Sequence, residues 1–280
     1  MDSTTRNQIN KIARMAGLAF QNALRLHFDA IRLYKIPSFA SALALSVLSM
    51  EELAKANALE DIAWHALIDN APISDGWNIS RKYFYDHKSK QMSFASRNLS
   101  PLVSMKVAVA VSESEESVRL QECREAYEKA MQNSADKKKI ESLKRELEKA
   151  ENCYENAYIK SLPASSLYRL AASGELEKVK QDALYVGVCG NKSPGELGAR
   201  IQNPLATTSK RPEQYITFVN DFLLDLTVGE LGGWHGVDAE SIKQQLTKSL
   251  VYRLSRSWPK RCKVGKRALR LYTRIEIDKD

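Results

Sequence analysis

Apolar residues recur along most of this chain at three- and four-residue steps, the period of a helix with one buried face. Ile9, Ile12, Ala13, Ala16, Phe20, Ala23, Leu24, Phe28 and Ile31 follow those steps and predict a first helix over residues 2–34. Pro37 ends it, and Ser38 is placed to cap a second helix running to about Leu67. From Phe39 to Leu48 this second helix is apolar on nearly every side. Such a pattern predicts a central helix rather than a surface one. Pro72, Asp75-Gly76 and Asn78 mark residues 70–79 as a loop. A third helix is expected from about Ser80 to Val111, interrupted near Ser100-Pro101.

The pattern changes over residues 112–162, which are charged and contain neither Gly nor Pro. Leu120, Cys123, Tyr127 and Ala130 step by 3, 4 and 3, and Ile140, Leu143, Leu147, Ala150, Tyr154 and Ala157 continue the same alternation. These are the a and d positions of two short heptad runs, which predicts a helical hairpin turning near Asn133 to Lys137. A short helix is expected from Ser173 to about Ala183, then a β-prone Leu184-Tyr-Val-Gly-Val and a loop to Pro204. Two further helices are expected, at 212–228 and at 237–254 with Asp238 as cap. The fold class is all-α. The expected organisation is a helical core (1–112 and 163–208), a hairpin insertion (113–162) and C-terminal helices with a tail (209–280).

Length and composition fit an ordinary globular chain: 280 residues, 44% hydrophobic and 27% charged. The net charge of +8 is uneven. Residues 251–280 hold ten basic and three acidic side chains, so the rest of the chain is close to neutral. Cys123, Cys153, Cys189 and Cys262 form no C-x-x-C pair and have no His at metal-ligand spacing, as expected of reduced thiols. There is no phosphate-binding Gly-rich loop, G-x-S-x-G or H-E-x-x-H, and no metal or cofactor is expected. The polar start of the chain predicts no secretory signal, and no apolar run has the length of a membrane span, so a cytoplasmic protein is expected.

Two segments break the pattern. Glu51, Glu52 and Lys55 interrupt the apolar second helix, with Glu52 and Lys55 on a face shared with Leu45, Leu48, Leu59 and Ile62. Buried charge is costly unless paired. Glu51 and Lys55 have the spacing of an intrahelical ion pair, and the alternative is a polar site facing other helices. In the third helix, His87, Lys90 and Gln91 share a face within the basic run from Arg81. A histidine moves protons near neutral pH, and a neighbouring lysine stabilises phosphate charge.

Together, Ser49-Met-Glu-Glu-Leu-Ala-Lys-Ala56 resembles the E-E-x-x-K signature of the AbiV abortive infection family. Asp86-His-Lys-Ser-Lys-Gln91 resembles its H-K-x-K-[QH] signature, and Leu184-Tyr-Val186, after Lys178 and Lys180, its third. Departures are Gly187 where the family usually has Asp, Ala54 where Gly is usual, and the long hairpin. The resemblance spans roughly residues 15–200. It implies a HEPN-like helical bundle, a homodimer, and anti-phage action, with RNA as the substrate of a metal-independent ribonuclease and a phage protein as trigger or inhibitor. Arg81-x5-His87 fits the Arg-then-His pattern of HEPN nucleases. The residues expected to act are His87 as acid or base, Lys90, Arg81 and Lys55 on phosphate charge, and Glu52 orienting a lysine or raising the pKa of His87 by stabilising its protonated form.

Substrate contacts are expected from Glu51, Lys88, Gln91 and Tyr185. In the tail they are expected from Arg261, Lys263, Lys266 and Arg267, part of a basic run (with Arg253, Lys260, Arg270 and Arg274) interleaved with Tyr252, Trp258 and Tyr272. The competing reading is a non-catalytic helical module in which the Glu and Lys residues form an internal polar network.

Overall fold

The computed structural model describes residues 3–68, 72–99, 101–132, 136–162, 166–185, 187–189, 200–233, 237–261 and 263–277. It is all-α. The first helices are α1 (Ser3–Lys35), α2 (Phe39–Ile68), α3 (Ile73–Ser80), α4 (Lys82–Tyr85), α5 (His87–Arg97) and α6 (Pro101–Ser112). The hairpin helices α7 (Glu115–Gln132) and α8 (Lys137–Ser161) follow, then α9 (Leu167–Ala172) and α10 (Glu175–Leu184). The last are α11 (Lys210–Leu231), α12 (Glu240–Lys243), α13 (Lys248–Ser257) and α14 (Lys263–Ile277). A small antiparallel ribbon, β1 (Gly187–Cys189) with β2 (Arg200–Gln202), pairs Val188 with Ile201.

The chain divides into two compact units, residues 1–94 with 174–280, and residues 95–173. In the first, α2 is the axis. Leu43, Val47, Met50, Leu53, Leu59 and Ile62 are buried, and α1, α3, α10 and α11 all pack on it. The all-round apolar pattern of α2 has this cause: it has neighbours on every side. Gly17 on α1 permits a close approach, since a Cβ there would lie 2.6 Å from the Ser241 side chain of α12. Gly265 does the same on α14, where a Cβ would lie 2.0 Å from Asp221 Oδ1. The C-terminal helices α13 and α14 both pack on α11, and α11 packs on α2. They belong to the same compact unit as α2.

The second unit contains the hairpin. Its seam follows the heptad pattern: Leu120, Ala130 and Ala150 are buried and Cys123, Tyr127, Ile140, Leu143, Leu147 and Tyr154 partly so, between exposed residues. Arg124 and Glu151 form an ion pair across it at 3.6 Å. Where α6 and α8 meet, Val107, Val111 and Leu162 form a small core covered by Tyr154, Tyr158 and Tyr168. Most of the expected turn lies in residues 133–135, outside the described residues, as are Val186 and Cys262.

Several boundaries differ from expectation. The loop expected at 70–79 contains α3, whose Gly76 lies against Ile62 of α2. The third helix is cut at Asp86, which is extended (φ −94°, ψ 114°) and accepts the Ser89 amide at 2.8 Å, starting α5 afresh. A hydrogen bond from the Ser89 side chain, helped by the Ser89 and Lys88 amides, holds the Asp86 carboxyl below its ordinary range. The helix expected at 237–254 is two helices, because Thr247 Oγ1 accepts the Leu250 amide at 3.2 Å and caps α13. The Asp238 and Ala239 amides turn instead to the Glu60 carboxylate of α2, at 2.5 and 3.2 Å.

A buried histidine makes the first unit sensitive to acid. His27 is fully buried on α1, and its Nε2 lies 3.0 Å from Asn220 Oδ1 of α11. Burial lowers its pKa from 6.5 to about 4 against the opposing hydrogen bond to Asn220. The unfolded chain takes up this proton first as pH falls. Stability is therefore unaffected above pH 6.5 and declines between 6.5 and about 4. The full decline is about 3 kcal/mol by linkage. Urea titrations at pH 7.0, 5.5 and 4.5 should show the loss in the wild type and its flattening in His27→Gln. An equal loss in both would refute the assignment.

Candidate functional site

Three helices that are distant in sequence meet at one carboxylate. Glu51 projects from the middle of α2 with its side chain 3% exposed. Its Oε2 lies 2.7 Å from His87 Nδ1 and 3.6 Å from Lys90 Nζ, both on α5. Its Oε1 accepts Lys180 Nζ of α10 at 2.9 Å and Gln91 Nε2 of α5 at 2.8 Å. Lys180 also bonds Glu177, one turn earlier on α10, at 2.7 Å, and Gln91 Nε2 reaches the same Glu177 oxygen at 2.9 Å. Burial would raise the Glu177 pKa, but hydrogen bonds from Lys180 and Gln181 hold it below its ordinary value.

The charges balance: Glu51 and Glu177 face Lys90 and Lys180, with both lysine side chains at 5% exposure or less. Such a set satisfies the rule that buried charge is paired. His87 differs, because 49% of its side chain is exposed. Its Nδ1 lies 2.7 Å from Glu51 and 3.1 Å from Lys180 Nζ. These two contacts cannot both be hydrogen bonds. An ammonium only donates and an ionised carboxylate only accepts. The shorter contact assigns the Nδ1 proton to Glu51, which leaves Nε2 as the free lone pair. Among the described residues no group bonds Nε2. A histidine anchored through Nδ1 by a buried carboxylate, with Nε2 open, is arranged for proton transfer.

Glu51, His87 and Glu177 also offer three potential metal-ligand atoms within 4.8 Å of one another. The Lys180 ammonium lies within 3.1 Å of all three groups.

The expected site residues sort into three groups. His87, Lys90, Gln91 and Glu51 do converge. The carboxylate beside His87, however, is Glu51; Glu52 holds a lysine as one expectation had it, pairing at 2.5 Å with Lys55, which therefore does not pair with Glu51. Adjacent helical residues point about 100° apart, so only one of the two glutamates can face α5 and α10. Lys90 is buried beneath Glu51 and does not face solvent, contrary to its expected place on phosphate charge.

Arg81, Lys88 and Tyr185 are exposed, and no described hydrogen bond or ion pair joins them to the cluster. The tail is only partly available. Arg261 is a correction: it donates to the carbonyls of Leu254, Ser255 and Lys260, closing the end of α13. Trp258 is buried and donates to Thr217 Oγ1 at 2.9 Å, Lys260 pairs with Glu213, and the Arg253 guanidinium lies 3.8 Å over the Phe28 ring. Lys266, Arg267, Arg270 and Arg274 are exposed on α14, and the Lys263 side chain lies outside the described residues.

Lys180 and Glu177 were missed. The signal was present: Leu176, Lys180 and Ala183 share one face at steps of four and three, and all are buried. A lysine on an apolar stripe requires a partner.

The family described as AbiV (HEPN_AbiV) matches residues 11–222. The chain belongs to the AbiV family. Its HEPN-like helical fold and an abortive-infection type of function follow from that membership. No curated protein and no solved structure matches the chain. The three AbiV-like signatures recognised in the sequence lie on α2, on α5 and at the end of α10, the helices that bring Glu51, His87 and Lys180 together. No described helix is long and apolar enough to cross a membrane.

Glu51 and Glu52 should therefore respond differently to the same change. Glu51→Gln leaves two buried ammoniums short of a counter-charge and should cost about 3–5 kcal/mol in chemical denaturation. Glu52→Gln, removing a partly exposed pair, should cost about 1 kcal/mol or less. Equal costs would show that Glu51 does not hold the cluster.

Proposed function

We propose that this AbiV protein is an anti-phage abortive infection effector that cleaves RNA without a metal ion, with His87 as the acid–base group. The observation that carries this reading is the His87 ring, bound through Nδ1 to buried Glu51 and open at Nε2. In RNA cleavage Nε2 would take the proton of a 2′-hydroxyl as its oxygen attacks the adjacent phosphate. The 5′-oxygen then leaves with a proton and a 2′,3′-cyclic phosphate remains. Phosphate charge falls to the exposed Lys88 and Arg81, since Lys90 is committed to Glu51. Tyr85, two residues before His87 and 72% exposed, offers a face on which an unpaired base can stack. In a homodimer, the second His87 would provide the acid for the leaving group.

The exposed column Lys266, Arg270 and Arg274, with Arg267 beside it, would hold the RNA backbone. A phage protein remains the proposed trigger or inhibitor. The second reading, a non-catalytic binding module, is favoured by one observation: Glu51, Lys90 and Lys180 form a closed, paired network of the kind that structural polar cores use.

His87→Ala should fold normally and reduce RNA cleavage by about 10² or more, with loss of protection against phage. Undiminished cleavage by the folded variant would overturn the role of His87. Protection by the wild type with cellular RNA intact would select the binding module. Separately, Lys266→Glu with Arg270→Glu should weaken RNA binding at low salt and flatten its salt dependence, measured by fluorescence anisotropy. Unchanged affinity would remove α14 from the interface.

A further inference from the structure

Lys180 is the one member of the cluster that touches all its potential ligand groups. Its Nζ lies 2.9 Å from Glu51 Oε1, 2.7 Å from Glu177 Oε2 and 3.1 Å from His87 Nδ1. The same three residues have the donor composition of a transition-metal site, two carboxylates and an imidazole. We propose that Lys180 is a positioning residue whose ammonium stands where a metal ion would otherwise sit, neutralising Glu51 and Glu177 and fixing the His87 ring. Its catalytic consequence rests on the ribonuclease reading above; its role as resident cation does not.

Three observations support it. Lys180 is 3% exposed and lies between Leu176 and Ala183 on a buried stripe, where a Leu or Met would pack at least as well. A buried ion pair is weak evidence of stabilisation alone, so the reason for a cation lies in what it faces. It faces two carboxylates that share Gln91 Nε2, close enough to repel without a positive charge between them. Finally, the ammonium is packed against the Nδ1 side of His87. This limits the swing of the ring, while the Glu51 carboxylate accepts the Nδ1 hydrogen and leaves Nε2 open. Gln91 adds a fourth group: its Oε1 is buried without a partner and becomes available to the cluster when the amide rotates.

Removing the ammonium should therefore turn the cluster into a metal site. Zinc is the probe, followed by calorimetry and by 1H–15N spectra of the His87 ring. Wild type should show no zinc-dependent change at His87. Lys180→Ala should bind one zinc ion per chain about tenfold or more tightly than wild type, with the His87 ring signals displaced. Without zinc, that variant should lose RNA cleavage mainly in kcat, with KM little changed, and Lys180→Arg should restore part of the rate. Wild type binding zinc through His87 as tightly as Lys180→Ala would overturn the proposal, as would a folded Lys180→Ala with no zinc site.

If Lys180→Ala does not fold, Glu177→Gln/Lys180→Met removes one charge of each sign and carries the test. Its His87 ring signals should shift or broaden relative to wild type without zinc, and unmoved signals would overturn the proposal. The zinc and ring measurements require no RNA cleavage. A chain that cleaves no RNA would thus defeat the ribonuclease reading and leave the role of Lys180 to be decided by these arms.

Discussion

The Glu51 carboxylate sits where water cannot reach it, and the arrangement of the first unit around it follows from that. α2 is packed against other helices, and on the face that meets α5 and α10 Glu51 is 2% exposed. Desolvating a carboxylate costs several kcal/mol unless partners replace its hydration. Four side chains do so, and they come from residues 36 to 129 positions away in sequence. α5 and α10 are each tied to α2 by these contacts, and neither ties there by apolar packing alone. The intervening break at Asp86 is part of the same solution. By starting α5 at His87, it places His87, Lys90 and Gln91 on successive turns of one face directed at Glu51.

How much of this was legible depends on whether the pattern is local. The hairpin was legible residue by residue, because a heptad seam is decided within one helix and its neighbour: Leu120, Ala130 and Ala150 are buried where the 3–4 alternation puts them. The burial of α2 was legible for the same reason. The choice between Glu51 and Glu52 was not. Both interrupt apolar faces of a helix that is apolar on nearly every side, so the pattern of α2 cannot say which face meets α5. That is settled by the positions of His87 and Lys180, which only the tertiary fold supplies. The start of the 237–254 segment was hidden in a similar way, because the acceptor for its first amides is Glu60, roughly 180 residues upstream.

The site combines two requirements that usually conflict. A buried polar network is stable when every member is satisfied, and a catalytic group must have something left to give. Here the two are separated by atom. Glu51, Lys90 and Lys180 spend their capacity inside the network, while His87 is bound at Nδ1 and open at Nε2. A purely structural network would gain nothing from holding a half-exposed imidazole at its edge, since a residue with no outward face would close it more completely. The edge position of His87 is therefore the feature that a structural account leaves without a reason.

The same separation explains why net charge was a poor guide. The excess of +8 is concentrated in the last thirty residues, yet even there the charge does not all face outward. Arg261 closes a helix end through three carbonyls, Lys260 is held by Glu213, and Arg253 lies on Phe28. In the body, Lys90 and Lys180 count as basic residues but meet only Glu51 and Glu177. Near His87 and on α14, the exposed basic side chains are Arg81, Lys88, Lys266, Arg267, Arg270 and Arg274. Counterion release scales with phosphates actually neutralised, so exposed side chains, not the formal charge, set what a polyanion can gain. The buried lysines act at a different level. They pair with the buried Glu51 carboxylate, which also meets the His87 ring at Nδ1.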